Sequence, residues 1–199
     1  MRLLIATRNR HKLAEIRAIF ALPGLELLGP DDTAPLPDVE EDADTFEGNA
    51  LKKARTLAEA SGLRTLADDS GLEVEALAGA PGVRSARFAG PGAGDAANNA
   101  LLLEKLRGVA DRRARFRCVL ALCEPGGREW TVAGACPGRL LDAPRGTGGF
   151  GYDPLFVPDG HTRTFAELDP AEKNRLSHRA AALREARRAW GGMLSATGR

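Results

Sequence analysis

A short apolar strand, Arg2 to Ala6, leads through the polar turn Thr7–Asn9 into a helix over residues 10–21. In that helix Leu13, Ile16, Ile19 and Phe20 recur at helical spacing. This unit constrains the chain more than any other feature, because a buried strand feeding an amphipathic helix belongs to a layered α/β architecture. Pro23-Gly24 stops the helix, residues 25–28 read as a second strand, and the Pro- and acid-rich residues 29–44 read as loop. Thr45 is placed to N-cap a helix running to Ser61, with Phe46, Ala50, Ala54, Leu57 and Ala58 on its inner face and Gly62 as its stop. Residues 64–67 and 71–74 read as short strands on either side of Asp68-Asp69-Ser70.

The remainder continues the pattern. Pro and Gly dominate residues 79–94, a long irregular stretch of a kind that usually carries function. A helix over 95–107 follows, with Ala97, Leu101, Leu102 and Leu106 as its apolar positions. Strands 114–123 and 128–136 are joined by a Pro-Gly-Gly turn, then come strand 154–157 and helical segments from 170 to about 191. Leu176, Leu183 and Trp190 recur every seven residues and read as one seam on the last helix.

At 199 residues the chain is long enough to bury a real core, and we expect one domain, residues 1–199, with two lobes. The net charge of +1 provides no global field for nucleic acid or anionic lipid, so neither is an expected partner. No apolar run exceeds Cys118–Cys123, far short of a membrane span. The cysteines Cys118, Cys123 and Cys136 show no C-x-x-C spacing; the first two read as buried thiols, and a reducing, cytoplasmic setting is expected.

Five clusters could do chemistry. Thr7, Arg8, Asn9, Arg10, His11 and Lys12 sit where the first strand meets the first helix. A helix N-terminus offers N–H groups and a partial positive charge, so this is a phosphate seat. No G-x-x-x-x-G-K-[ST] occurs, which excludes an ordinary P-loop. Glu40-Glu41 ends the acidic loop, and Asp68-Asp69-Ser70 lies between apolar runs; adjacent carboxylates repel, and a hard cation such as Mg²⁺ relieves them. Gly146–Pro154 surrounds Phe150 and Tyr152 with glycines and suits a planar ligand. It spells G-x-G-x-x-G, but it neither follows a strand nor opens a helix, so it is not a dinucleotide fingerprint. Lys173, His178 and Arg179 supply donors near the last helix.

Together the clusters resemble the inosine triphosphate pyrophosphatase family, which hydrolyses non-standard purine nucleoside triphosphates. The resemblance rests on T-x-N-x-x-K at Thr7–Lys12, E-x-x-x-T-F-x-x-N-A at Glu41–Ala50 and A-D-D-S-G-L at Ala67–Leu72. It continues with G-A-P-G-x-x-S-A-R-F at Gly79–Phe88, G-T-G-G-F-G-Y-D-P at Gly146–Pro154 and E-K-x-x-x-S-H-R at Glu172–Arg179. It implies an elongated two-lobed α/β fold around a long curved mixed sheet, with the active cleft between the lobes, a homodimer and a Mg²⁺ requirement.

The resemblance also implies roles. Thr7–Lys12 and Lys53 would hold the triphosphate. Glu40 or Glu41, with Asp69, would serve the metal, and Asp69 would take the proton of the attacking water. Ser70 would touch substrate, and Phe150, Gly151, Tyr152 and Asp153 would hold the base, completed by Lys173, His178 and Arg179. Arg8 and Arg10 stand where the family often carries small or neutral residues. On chemistry alone, His178 and Arg179 suit a purine 6-carbonyl, because a donor facing the adenine amine would be left unpaired. Phe150 is the stacking candidate. The alternatives are a pyrophosphatase for other modified nucleotides and a non-catalytic nucleotide- or RNA-binding protein.

Overall fold

The structure is a computed structural model, and it describes residues 1–195. The chain is mixed α/β. Strands β1 (Arg2–Ile5), β2 (Glu26–Leu28), β3 (Thr65–Val74), β4 (Arg113–Cys123), β5 (Glu129–Leu140) and β6 (Phe156–Pro158) form one sheet in the order β2-β1-β3-β4-β5-β6. β1 runs parallel to both β2 and β3, with Leu3 opposite Leu27 and Leu4 opposite Thr65. β6 is antiparallel to β5 and pairs Phe156 with Leu140. The helices are α1 (Arg10–Ile19), α2 (Phe46–Ser61), α3 (Asp95–Lys105), α4 (Pro170–Leu176) and α5 (His178–Leu194).

Two compact units share the chain. The first comprises Met1–Asp69, Cys118–Gly134 and the stretch from Arg179 onward; the second comprises Ser70–Arg117 and Ala135–His178. The first packs Leu3, Ile5 and Leu66 of the sheet against Ile16 and Phe20 of α1 and against Leu183, Ala186 and Trp190 of α5. The second packs Leu72, Phe116 and Phe156 with Leu102 and Leu106 at the end of α3, and with Tyr152 and Phe165 from loops. Among the described residues, no helix is long and apolar enough to cross a membrane.

Local signals account for most element ends. Thr45 caps α2 by accepting from the Gly48 amide at 3.0 Å, and Gly62 closes the helix in the left-handed region at φ 66°. Elsewhere the structure departs from expectation. Residues 64–74 are not two strands around a turn: β3 is continuous and carries Asp68 and Asp69 inside the sheet, where side chains from three helices bind both carboxylates. The seven-residue seam is also split. α4 ends at Leu176, which packs in the second core, whereas Leu183 and Trp190 belong to α5 and the first core. In α3 the inner position falls to Asn98, not Ala97, which is exposed. Asn98 accepts from the Ala89 amide at 2.8 Å and donates to the Ala86 carbonyl at 3.2 Å. β5 also runs beyond the expected residue 136, to Leu140.

Candidate active site

Within the first unit, α1 begins at Arg10 under an Asn9 cap. The Asn9 Oδ1 accepts from the amides of His11 at 2.9 Å and Lys12 at 3.1 Å. Two helix N–H groups expected to face an anion are therefore taken by the cap. What α1 offers is its partial positive charge and the Lys12 side chain. Thr7 is nearly buried and accepts from the Asn9 amide through Oγ1 at 3.2 Å. Arg8 turns to the acidic loop, paired with Asp38 and donating to the Leu36 carbonyl at 3.2 Å. Arg10 and His11 lie exposed. Thr7, Asn9, Lys12, Glu41 and Lys53, with Leu36, Pro37 and Val39, line a recess of about 240 Å³.

The adjacent carboxylates of β3 face different surroundings, as alternation along a strand requires. Asp68 is buried, and its Oδ2 lies 3.2 Å from Lys12 Nζ and 3.0 Å from Arg179 Nη2. Burial opposes its charge, but Lys12, Arg179 and Lys53 more than offset that and hold the carboxyl far below the usual carboxylate range. Asp69 is also buried, though less completely, and accepts from Asn49 Nδ2 at 2.9 Å. Burial, and then the negative charge of Glu41, push it up to about 6. Glu41 pairs with Lys53, whereas Glu40 is exposed, so Glu41 is the member of the acidic pair that joins the site. Lys53 is raised: burial works against its charge, and Asp68 and Glu41 outweigh it.

This donor set fits a divalent cation of one kind. Burial and the like charge of Glu41 both raise Asp69, and a cation between the two carboxylates would relieve their repulsion. No cluster of three or more metal-ligating side chains exists among the described residues. Hence Glu41 and Asp69 could hold an ion that draws its remaining oxygens from a phosphate, as Mg²⁺ sites commonly do.

Arg179 is bound by carboxylates of the first unit. It is 1% exposed and belongs to the first unit, with Nε and Nη2 on Asp68 at 3.3 and 3.0 Å and Nη1 on Glu15. Burial alone would lower it; Asp68 and Glu15 raise it instead.

The second unit holds the planar-ligand residues. Phe150 is half-buried, and the Lys173 ammonium stands 4.6 Å from its ring centroid. Lys173, itself buried, bonds Asp153 Oδ2 at 2.6 Å, and the same oxygen accepts from the Phe150 amide at 2.9 Å. Tyr152 is a core residue whose hydroxyl donates to the Ser85 carbonyl at 2.9 Å, so Phe150 is the half-exposed ring of the loop. His178 is buried and stacks on Phe116 with centroids 4.7 Å apart. Ser70 opens this unit's share of β3 and is partly exposed.

Sequence reasoning missed Asn49 and Glu15 as supports of the first constellation, and it placed Asp68 in an acidic cluster without seeing it as an anchor. Asn49 grips Asp69, Asp68 anchors Lys12 and Arg179, and Glu15 braces Arg179. Glu15 lies three residues after Lys12 on one helix face, which was the available signal.

The Ham1 family model matches residues 3–189. The chain belongs to the Ham1 family. Among curated proteins, the dITP/XTP pyrophosphatase of Geobacter sulfurreducens is 54% identical over 184 residues, covering 92% of each chain. That of Desulforamulus reducens is 50% identical, covering 94% of each. Among solved structures, a HAM1 protein from Coxiella burnetii superposes with a TM-score of 0.88 at 41% identity, covering 96% of this chain and 98% of its own. A nucleoside-triphosphatase, dITP/XTP pyrophosphatase, from Mycobacterium abscessus gives 0.76 at 46% identity, covering 93% and 98%. This Ham1 family member is thus similar, nearly end to end, to proteins that carry the pyrophosphatase name.

Proposed function

We propose that this Ham1 family member hydrolyses non-standard purine nucleoside triphosphates (ITP, dITP and XTP) to the monophosphate and pyrophosphate. The observation that carries the reading is the placement of Asp69, a buried carboxyl gripped by Asn49 and set among the charges of Glu41, Lys12 and Lys53. A group with affinity for a proton near working pH is what a general base needs. Support for the substrate class comes from the relatives of more than 50% identity named dITP/XTP pyrophosphatases.

In this reading the first constellation takes the polyphosphate and the second takes the base. Glu41 and Asp69 would hold a Mg²⁺, which would supply charge neutralisation at the phosphates and a lower pKa for the attacking water. Asp69 orients that water toward the α-phosphorus and receives its proton on a carboxylate oxygen. The bond to the bridging oxygen breaks, and the leaving pyrophosphate develops charge opposite the ammonium groups of Lys12 and Lys53. Asp68 stays ionised throughout and keeps Lys12 extended toward the recess. Phe150 stacks on the purine while Lys173 polarises its other face. We further read the protein as a cytoplasmic homodimer forming a single two-lobed domain; its three free, buried thiols support the reducing setting.

A substrate panel tests the reading. ITP, XTP and dITP should release pyrophosphate with Mg²⁺ and not with EDTA, and ATP and GTP should be turned over at least about tenfold more slowly. Equal rates across the panel, or phosphate in place of pyrophosphate, would overturn it.

A further inference from the structure

The loop bearing Phe150 is fixed from outside by a clamp on one residue. Gly151 donates its amide to Asp95 Oδ2 at 2.6 Å, and its carbonyl accepts from Asn99 Nδ2 at 2.8 Å. Both hydrogen-bonding groups of a single glycine are thus taken by side chains of α3. Asp95 and Asn99 stand four residues apart on one helix face, and Asn99 Nδ2 also donates to the Asp95 carbonyl at 2.9 Å, which ties the jaws together. Asn99 spends its amide on these donor bonds, while its buried Oδ1 has no hydrogen-bond partner among the described residues. A buried acceptor left unsatisfied is costly, so the donor bonds dictate how the amide is oriented.

Gly151 needs such a clamp. It sits at φ 63°, and nothing lies within 4 Å of where a Cβ would be, so packing does not hold it there. Its neighbours are fixed by other means. Asp153 holds the Phe150 amide, and the Tyr152 hydroxyl reaches the Ser85 carbonyl. The segment containing Ser85 is gripped by Asn98, the residue beside Asn99. One stretch of α3 therefore secures the two residues that follow the ring Lys173 approaches, Gly151 directly and Tyr152 through the segment of Ser85.

We propose that Asp95 and Asn99 are specificity-positioning residues, which set the affinity for the purine by fixing the backbone that presents Phe150, without touching the polyphosphate. This rests on the reading of Phe150 as the stacking platform. The test uses Asp95→Ala/Asn99→Ala together, Asp95→Ala alone, Asp95→Asn and Phe150→Ala. The probes are IMP and inorganic pyrophosphate by calorimetry, with kcat and KM for ITP.

The double variant should weaken IMP binding and raise KM by about tenfold, the effect of losing one or two such hydrogen bonds, with kcat and pyrophosphate affinity unchanged. Asp95→Asn retains an acceptor for the Gly151 amide and should recover most of the loss. Should the double variant fail to fold, Asp95→Ala alone, at an exposed position, should show the same split at smaller amplitude. Wild-type IMP affinity in the alanine variants, with affinity lost in Phe150→Ala, overturns the clamp and leaves the stacking reading intact. Wild-type IMP affinity in Phe150→Ala overturns the stacking reading itself. Parallel loss of IMP and pyrophosphate binding in a folded variant also overturns the clamp.

Discussion

In the first unit the functional side chains are held by charge: Lys12 and Arg179 converge on Asp68, Glu15 takes the far end of Arg179, and Lys53 pairs with Glu41. In the second they are held mainly by the backbone: Asp153 grips the Phe150 amide, and Asp95 and Asn99 grip Gly151. Under the proposed function, each kind of support matches the needs of one part of a nucleotide. A polyphosphate needs fixed cations that do not reorganise as charge develops. A flat base needs a surface at the right height and orientation, which a braced loop supplies.

The largest effect separating the two belongs to Asp69. On the proposed function, Asp69→Asn should lower kcat by about 10⁴-fold, measured as pyrophosphate release, because the proton acceptor and the anionic metal ligand would be lost together. The same variant should make the metal-free protein more stable. Folded, the wild-type carboxyl keeps its proton up to about pH 6, whereas its ordinary value is 3.8. The unfolded chain therefore releases that proton first as pH rises, and stability falls between about pH 4 and 6. The gap of roughly two pH units corresponds to about 3 kcal/mol at neutral pH, and melting in EDTA should show Asp69→Asn pulling ahead above pH 6 and converging below pH 4. A variant that retains turnover would remove Asp69 from the chemistry.

Next in size is Arg179→Ala, which leaves Asp68 and Glu15 buried without their shared partner and should cost about 3–5 kcal/mol in denaturant unfolding. If Arg179 instead read the purine 6-carbonyl, the variant would keep its stability and lose its preference for ITP over ATP. The two measurements on one protein decide between anchor and reader.

The smallest effects fall on the glycine loop. Gly149→Ala places a Cβ against the Asp153 carboxylate, whereas Gly151→Ala meets nothing and suffers only from its positive φ. Gly151→Ala should cost about 1 kcal/mol and Gly149→Ala distinctly more, both read as a higher KM for ITP at nearly constant kcat. A loss confined to kcat would contradict a purely positional role for this loop.

The sequence foretold what short-range chemistry decides. Thr45 and Gly62 marked both ends of α2, and the apolar spacing of α1 marked its buried face. It did not foretell that Asp68-Asp69-Ser70 lies within a strand, because two acids read as a turn until their partners are known. Those partners come from positions 12, 49 and 179, and Glu15 lies 164 residues from Arg179. Contacts of that span leave no local periodicity. The seam at Leu176, Leu183 and Trp190 misled for a related reason: a seven-residue rhythm does not reveal that the helix is interrupted at Ser177.

The unbroken course of β3 has one further consequence. Because neighbouring residues of a strand point to opposite faces, slipping β3 by one position against β1 would exchange the two aspartates. The carboxylate now held by Lys12 and Arg179 would then face Asn49, and its neighbour would meet the lysine and the arginine instead. The pairing of Leu4 with Thr65 and of Ile5 with Leu66 therefore decides which of two chemically identical side chains is paired with cations and which keeps its proton to higher pH.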